Sequence, residues 1–141
     1  MPNAPRLLLD TNILLDYVVP ERPHSEAAAT IVQMAAHGHA TICVTPGSLK
    51  DLYYIACKSI GESLTRQYIE AFLDLFVVLT VNQELCALAV RSDEPDFEDG
   101  LVRAAAEVHH IDFIITRDHA AFQRFTVRSM SSDEYVRLFS Q

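Results

Sequence analysis

Asp10, Asp51, Asp96, Asp99 and Asp118 are spread over more than 100 positions of this 141-residue chain, yet each stands beside a short apolar run or a helix-start signal. Asp10 directly follows Leu7-Leu8-Leu9, and Asp118 closes the stretch FIITRD (113–118). Asp51 lies in the second turn of a helix opened by Pro46, after TICVT. Asp96 and Asp99 belong to SDEPDFEDG (92–100), which holds five carboxylates in seven consecutive positions. Carboxylates drawn close together repel one another, and a bound cation is what makes such an arrangement stable. Oxygen ligands without Cys or His at ligand spacing point to Mg²⁺ or Mn²⁺ rather than Zn²⁺. One or two such ions can activate a water and stabilise an in-line displacement at phosphorus.

For this chemistry, the fold must bring the five residues together. RLLL (6–9) predicts a buried strand, and Asp10 or Thr11 caps a helix running to about Val18. PERPH (20–24) is a break, and SEAAATIVQMAAHG (25–38) reads as a helix stopped by Gly38. ATICVT (40–45) predicts a second strand, and Pro46 opens a helix to about Lys58. A helix over 62–75, a strand FVVLTV (76–81) and a short helix over 83–91 follow. The acidic run then leads into a helix to about His110 and a strand DFIIT (112–116). A weak strand around Thr126–Arg128 and a terminal helix from Ser132 complete the chain.

Strands rich in Val, Ile and Leu without polar alternation suit a sheet covered on both faces. Alternating strands and helices then predict a three-layer α/β sandwich with a mostly parallel sheet of four to five strands, residues 1–141 forming one domain. Helices that follow a strand, and helices that lead into one, both begin at the C-terminal edge of such a sheet, where ligand sites of open α/β sheets lie. All five aspartates therefore fall at one edge.

Taken singly, each acid has a simpler explanation. Asp10 would serve as an N-cap, Asp93 and Glu94 as cap and helix-dipole residues before Pro95, and Glu98 as a solvated charge. Asp99 would pair with Arg103 four residues on, and Asp51 and Asp118 would be surface acids. Phe97, Leu101, Ala104, Ala105 and Val108 form an apolar stripe almost opposite Asp99, so periodicity alone does not separate a cleft from open solvent. The convergence of all the acids at one edge favours the metal-binding reading for Asp99, with Asp96 behind it.

Half of the residues are apolar, only four are glycine, and the net charge is −8. This excludes a disordered or fibrous chain and a nucleic-acid binder that relies on a broad basic face. Cys43, Cys57 and Cys86 are widely spaced in apolar surroundings and read as core thiols of a reducing compartment. The N-terminal stretch lacks a signal-peptide run, and every apolar run falls short of the roughly 20 residues a membrane helix needs, so a cytoplasmic, non-membrane protein is expected.

LLLDTNILLDYV (7–18), PGSLKDLYYIACK (46–58), DFEDGLVRAAAE (96–107) and FIITRD (113–118) resemble, in order and spacing, the PIN domains, and more narrowly the VapC-type toxin ribonucleases of bacteria and archaea. The resemblance covers nearly the whole chain. It implies a PIN-like fold and a Mg²⁺- or Mn²⁺-dependent endoribonuclease whose acidic quartet is Asp10, Asp51, Asp99 and Asp118. Asp10 and Asp99, with Asp118, would hold the metal, and Asp51 would complete or orient the set. Thr11, Asn12 and Thr116 would orient the carboxylates, and Asp96 matches a frequent accessory acid. Arg103 and Arg117 are candidate phosphate contacts, and His109, His110 and His119 are weaker candidates. Two positions depart from the family pattern: Asp51 stands where Glu is common, and Gly100 where a larger small residue is usual. The implied partners are an RNA substrate, a cognate antitoxin that blocks the acidic cleft, and a second copy in a homodimer.

Three rival readings remain. A haloacid-dehalogenase-like phosphatase needs a second aspartate where Asn12 stands. A receiver-like domain needs a lysine where the late strand offers Arg117. The third rival is a catalytically silent PIN-like binding module.

Overall fold

The computed structural model describes residues 4–118, 120–123 and 127–140. Leu7, Leu8 and Leu9 are all buried in β1 (Arg6–Leu9), the centre of a five-stranded sheet. β2 (Thr41–Val44) and β4 (Phe113–Ile115) flank β1, while β3 (Val77–Val78) and β5 (Arg128–Met130) form the edges, giving the order β3-β2-β1-β4-β5. Every pairing is parallel, with Leu8 opposite Cys43 on one side and Ile114 on the other. Among the described residues, seven helices complete the fold: α1 (Thr11–Val18), α2 (Ser25–Ala36), α3 (Pro46–Ile60), α4 (Glu62–Leu75), α5 (Gln83–Arg91), α6 (Phe97–Val108) and α7 (Ser132–Phe139).

The period-two alternation of strand side chains divides the core into two layers. Leu7, Leu9, Ile42, Val44 and Ile115 pack with α1, α2, α3, α4 and α7 on one face. Leu8, Cys43 and Ile114 pack with α5, α6 and the buried Ala121 and Phe122 on the other. This is the expected three-layer sandwich. The apolar runs of β1, β2 and β4 are covered from both sides, which is why these strands lack polar alternation, whereas Val77 and Val78 of the edge strand β3 are exposed. No helix among the described residues is long and apolar enough to cross a membrane.

Local signals set the helix starts. Thr45 caps α3 by accepting from Ser48 N at 3.1 Å, with Pro46 in its first turn. Asn82, Asp96 and Ser131 cap α5, α6 and α7 in the same way. Gly61, at φ +88°, both ends α3 and precedes α4, a turn that a residue with a Cβ would strain.

Several expectations change in detail. The strand expected over 76–81 pairs only at Val77 and Val78, an edge position with one neighbour. The weak strand expected around Thr126–Arg128 begins at Arg128 and runs to Met130; Thr126 lies outside the described residues. The buried face of α6 is Gly100, Val102, Ala104, Ala105 and Ala106, whereas Phe97 and Val108 of the expected stripe are 49% and 42% exposed. The reason is a second packing partner. α6 lies against α5 so closely that a Cβ on Gly100 would stand 2.6 Å from Ala89 O, so its small residues turn inward. That approach also accounts for glycine at position 100. Of the three expected core thiols, only Cys43 is buried. Cys57 is half-buried, and Cys86 is exposed on α5, which buries only Leu85 and Ala89.

Candidate active site

β1 ends at Leu9, and Asp10 is the residue at which the chain turns into α1. Its backbone N–H donates to Ile115 O at 3.0 Å, fixing it beside the end of β4. Its side chain accepts from two directions: Thr11 N–H reaches Oδ1 at 2.9 Å, and Thr116 Oγ1 donates to Oδ2 at 2.9 Å. Asp10 is thus the N-cap expected from the sequence, and each carboxylate oxygen still has a lone pair for a further partner. Burial pushes its carboxyl above the usual range, the charges of Asp118 and Asp96 add to this, and the two hydrogen bonds oppose it.

Thr116 is the hub of this edge. It is buried at the end of β4, and besides holding Asp10 its Oγ1 accepts from Asp118 N at 3.1 Å. Asp118 is exposed and closes a turn, its Oδ1 accepting from Ala120 N at 2.9 Å and Ala121 N at 3.3 Å. Asp96 caps α6, its Oδ1 accepting from Asp99 N at 2.8 Å. Asp99 itself is half-buried one turn into the helix, and its carboxyl is pushed up to about 7. Burial contributes most, followed by the charges of Asp96, Asp118, Asp10 and Glu94. Asp10, Asp96, Asp99 and Asp118 therefore share one field at the C-terminal edge of the sheet.

Asp51 stands at the flank of this group on α3. Its neighbour is Glu98, and a hydrogen bond between the two carboxyls, aided by burial and the charge of Asp51, pushes Glu98 up to about 7. Glu98 is therefore not the freely solvated charge expected from the sequence. The two line a cleft of about 290 Å³ with Thr45, Lys50, Phe97 and Leu101. Lys50 Nζ stands 3.6 Å from Asp51 Oδ1.

The i,i+4 pair of Asp99 and Arg103 is replaced by a different one. Arg103 Nη1 donates to Asp93 Oδ1 at 2.6 Å and to Glu94 Oε2 at 3.1 Å. Glu94, its side chain 3% exposed, also accepts from Phe122 N at 2.7 Å through Oε1. Phe122 sits at φ +66°, unfavourable for a bulky residue, and this bond helps hold it there. Asp93 and Glu94 are thus not helix caps. They brace the turn carrying Asp118 against α6, and Arg103 is committed to that brace.

The polar residues beside Asp10 take different parts. Thr11 offers its backbone N–H, while its Oγ1 is buried without a partner among the described residues. Asn12 Oδ1 accepts from Arg22 Nη2 at 3.4 Å. Arg22 in turn reaches Asp16, a fully buried carboxylate on α1 that sequence reasoning passed over. Its signal was a single acid inside the apolar helix ILLDYVV with an arginine six positions on. His109 and His110 lie at the C-terminal end of α6, His109 on Thr80 O at 2.9 Å, and take no part at this edge. His119 lies outside the described residues.

A hard divalent cation suits this donor set in kind, since the converging atoms are all carboxylate and hydroxyl oxygens. The crowding of like charges supports the same fit, because a cation would relieve it. Among the described residues, no three His, Cys, Asp or Glu side chains are already drawn into a metal cage.

A PIN-domain family model matches residues 6–120. No curated protein matches the sequence. Among solved structures, VapC20 of Mycobacterium tuberculosis, described as a sarcin-ricin loop cleaving toxin, superposes with a TM-score of 0.65 at 16% identity, covering 79% of this chain and 89% of that one. A toxin-antitoxin complex from Klebsiella pneumoniae gives 0.68 at 21% identity, covering 89% and 97%. DNA-bound VapBC from Salmonella typhimurium gives 0.65 at 16% identity, covering 91% and 98%. At these identities the three likenesses bear on the fold alone. The family model spans most of the chain and coincides with the stretch from the first strand to the turn after Asp118, so the chain belongs to the PIN-domain family.

Proposed function

We propose that residues 1–141 act as one domain, a metal-dependent endoribonuclease that serves as the toxin of a toxin–antitoxin pair in the cytoplasm. The observation that carries this reading is the meeting of Asp10, Asp96, Asp99 and Asp118 in one electrostatic field at the C-terminal edge of the sheet, with Asp99 pushed up to about 7 by that field and its burial. Membership of the PIN-domain family and structural likeness to VapC proteins support it.

In this reading Asp10, Asp99 and Asp118 hold Mg²⁺ or Mn²⁺, with Asp51 at the flank. When bound, the cation supplies an activated water and positive charge against the phosphorane-like transition state. The chain does the rest. Thr116 Oγ1 holds the Asp10 carboxylate and at the same time positions Asp118 N. Asp96 fixes the first turn of α6 and so the direction of Asp99. Asp99, its carboxyl raised to about 7, would have to be deprotonated to serve as a ligand. The RNA strand lies along the cleft beside Asp51, Glu98 and Phe97. The VapBC and toxin-antitoxin assemblies among the structural neighbours support a cognate antitoxin as protein partner, and the resemblance supports a homodimer.

The test is cleavage of total bacterial RNA by the protein and by Asp99→Asn, with Mg²⁺ or Mn²⁺ and with EDTA. Discrete products that need the metal and vanish in the variant are expected. Cleavage that persists in EDTA or in Asp99→Asn removes the metal-quartet mechanism. RNA binding without products moves the reading to a catalytically silent binding module.

A further inference from the structure

Asp16 lies one helical turn beyond Asn12 on α1 and is fully buried. Its Oδ1 accepts from Arg22 Nε at 2.8 Å, while Oδ2 is buried without a hydrogen-bond partner among the described residues, so Arg22 supplies the charge that a buried carboxylate needs. Arg117 Nη2 stands 3.6 Å from the same oxygen, beyond hydrogen-bond reach. Among the described residues the Arg117 guanidinium makes no hydrogen bond, so it adds charge to the ion pair while its donors can meet another acceptor.

The location gives this surplus meaning. Arg117 lies between Thr116, which holds Asp10, and Asp118. Arg22 reaches Asn12, two residues from Asp10. The two side chains are 30% and 28% exposed, and they share one carboxylate, so one positive charge is left over beside an otherwise acidic centre. Among the described residues, Arg103 is committed to Asp93 and Glu94, whereas Lys50, 3.6 Å from Asp51 Oδ1 and largely exposed, stands on the α3 flank, away from Asp10 and Asp118 in sequence and beside a different carboxylate. A chain of net charge −8 that holds a polyanion needs local positive charge where the strand passes. A guanidinium fork matches phosphate oxygens in geometry as well as charge.

We infer that Arg117 and Arg22, anchored on buried Asp16, form a phosphate subsite that holds a backbone phosphate of the RNA next to the one being cleaved. The inference rests on the ribonuclease reading. Arg117 makes the direct contact, while Arg22 sets the position of Asp16 and adds charge.

Arg117→Gln tests this without unpairing Asp16, because Arg22 stays in place. Arg117→Lys keeps the charge and removes the fork. Melting temperature, cleavage kinetics and binding of a random-sequence single-stranded RNA oligonucleotide across a salt series are measured for all three proteins. The expected result for Arg117→Gln is an unchanged fold, a KM raised several-fold with kcat nearly unchanged, and a salt slope of log affinity smaller by about 0.7, as for one lost phosphate contact on a single strand. Arg117→Lys should recover the slope but only part of the affinity. An unchanged KM and slope in Arg117→Gln overturns the subsite and leaves the arginines as a fold-stabilising ion pair. So does a fall in kcat alone, or a collapse of the melting temperature. If the unmodified protein binds RNA but cuts none, the ribonuclease reading falls while the slope still decides the subsite. If it neither binds nor cuts, both fall.

Discussion

Thr116 Oγ1 donates to Asp10 Oδ2 across 2.9 Å, joining the ends of β4 and β1 over a sequence separation of 106 residues. The same hydroxyl accepts from Asp118 N. One small side chain therefore fixes the relation between the first and last acids of the proposed quartet, and several expectations follow from it and its neighbours.

Thr116→Val keeps the buried volume and removes both bonds. Groups that orient metal ligands in this way are worth roughly 10–100-fold in affinity or activity. Metal titration and cleavage rates should fall by that order, while Thr116→Ser restores most of the loss. Unchanged rates in the valine variant would show that Asp10 needs no such guide.

Metal-free stability should fall with rising pH. Asp99 and Glu98 have carboxyls raised from ordinary values of 3.8 and 4.5 to about 7 in the folded chain. Between those limits the folded state binds more protons than the unfolded state, so acidification through this window stabilises the fold, and above about 7 the full destabilisation remains. Thermal melts in EDTA from pH 5 to pH 8 should show a falling melting temperature, and added Mn²⁺ should raise it more at pH 8 than at pH 5. A metal-free melting temperature that rises over this range contradicts the crowding of these carboxyls.

Gly100→Ala places a Cβ 2.6 Å from Ala89 O and 2.8 Å from Ser92 Oγ. The serine hydroxyl can rotate, but the carbonyl of α5 cannot give way without moving the helix. Overpacking of this kind costs about 1–3 kcal/mol, which lowers the melting temperature by roughly 3–10 °C. Calorimetry reads this directly, and an unchanged melting temperature would mean that α5 and α6 separate freely.

Glu94→Ala removes the acceptor of Phe122 N–H and one of the carboxylates that Arg103 meets. Loss of a buried acceptor costs about 1–3 kcal/mol. The sharper readout is hydrogen exchange, which should quicken at the Phe122 amide, accompanied by weaker activity as the turn carrying Asp118 loosens. Slow exchange at Phe122 in this variant would remove Glu94 from that turn.

Read as a string, the chain already declares its layers and most of its edge. Apolar runs such as Leu7-Leu8-Leu9 and caps such as Asp96 act over a few residues, so strand and helix order and the placement of Asp10, Asp51, Asp96, Asp99 and Asp118 could be read without coordinates. What could not be read depends on how elements rotate and which distant groups then meet. Glu98 and Asp99 are adjacent in sequence and both feel the charges of Asp10 and Asp96, yet only Glu98 meets the Asp51 carboxyl and only Asp99 is raised by Asp118, because α6 packs on α5 as well as on the sheet. Arg103 went to Asp93 and Glu94 rather than Asp99, and Arg22 and Arg117 met over Asp16, through loop paths that no local rule specifies. Local hydrogen bonding and hydrophobic periodicity act along the chain and leave their mark in it, whereas pairing of charges across elements is settled by their distance in space and the desolvation there, which exist only once the layers have closed.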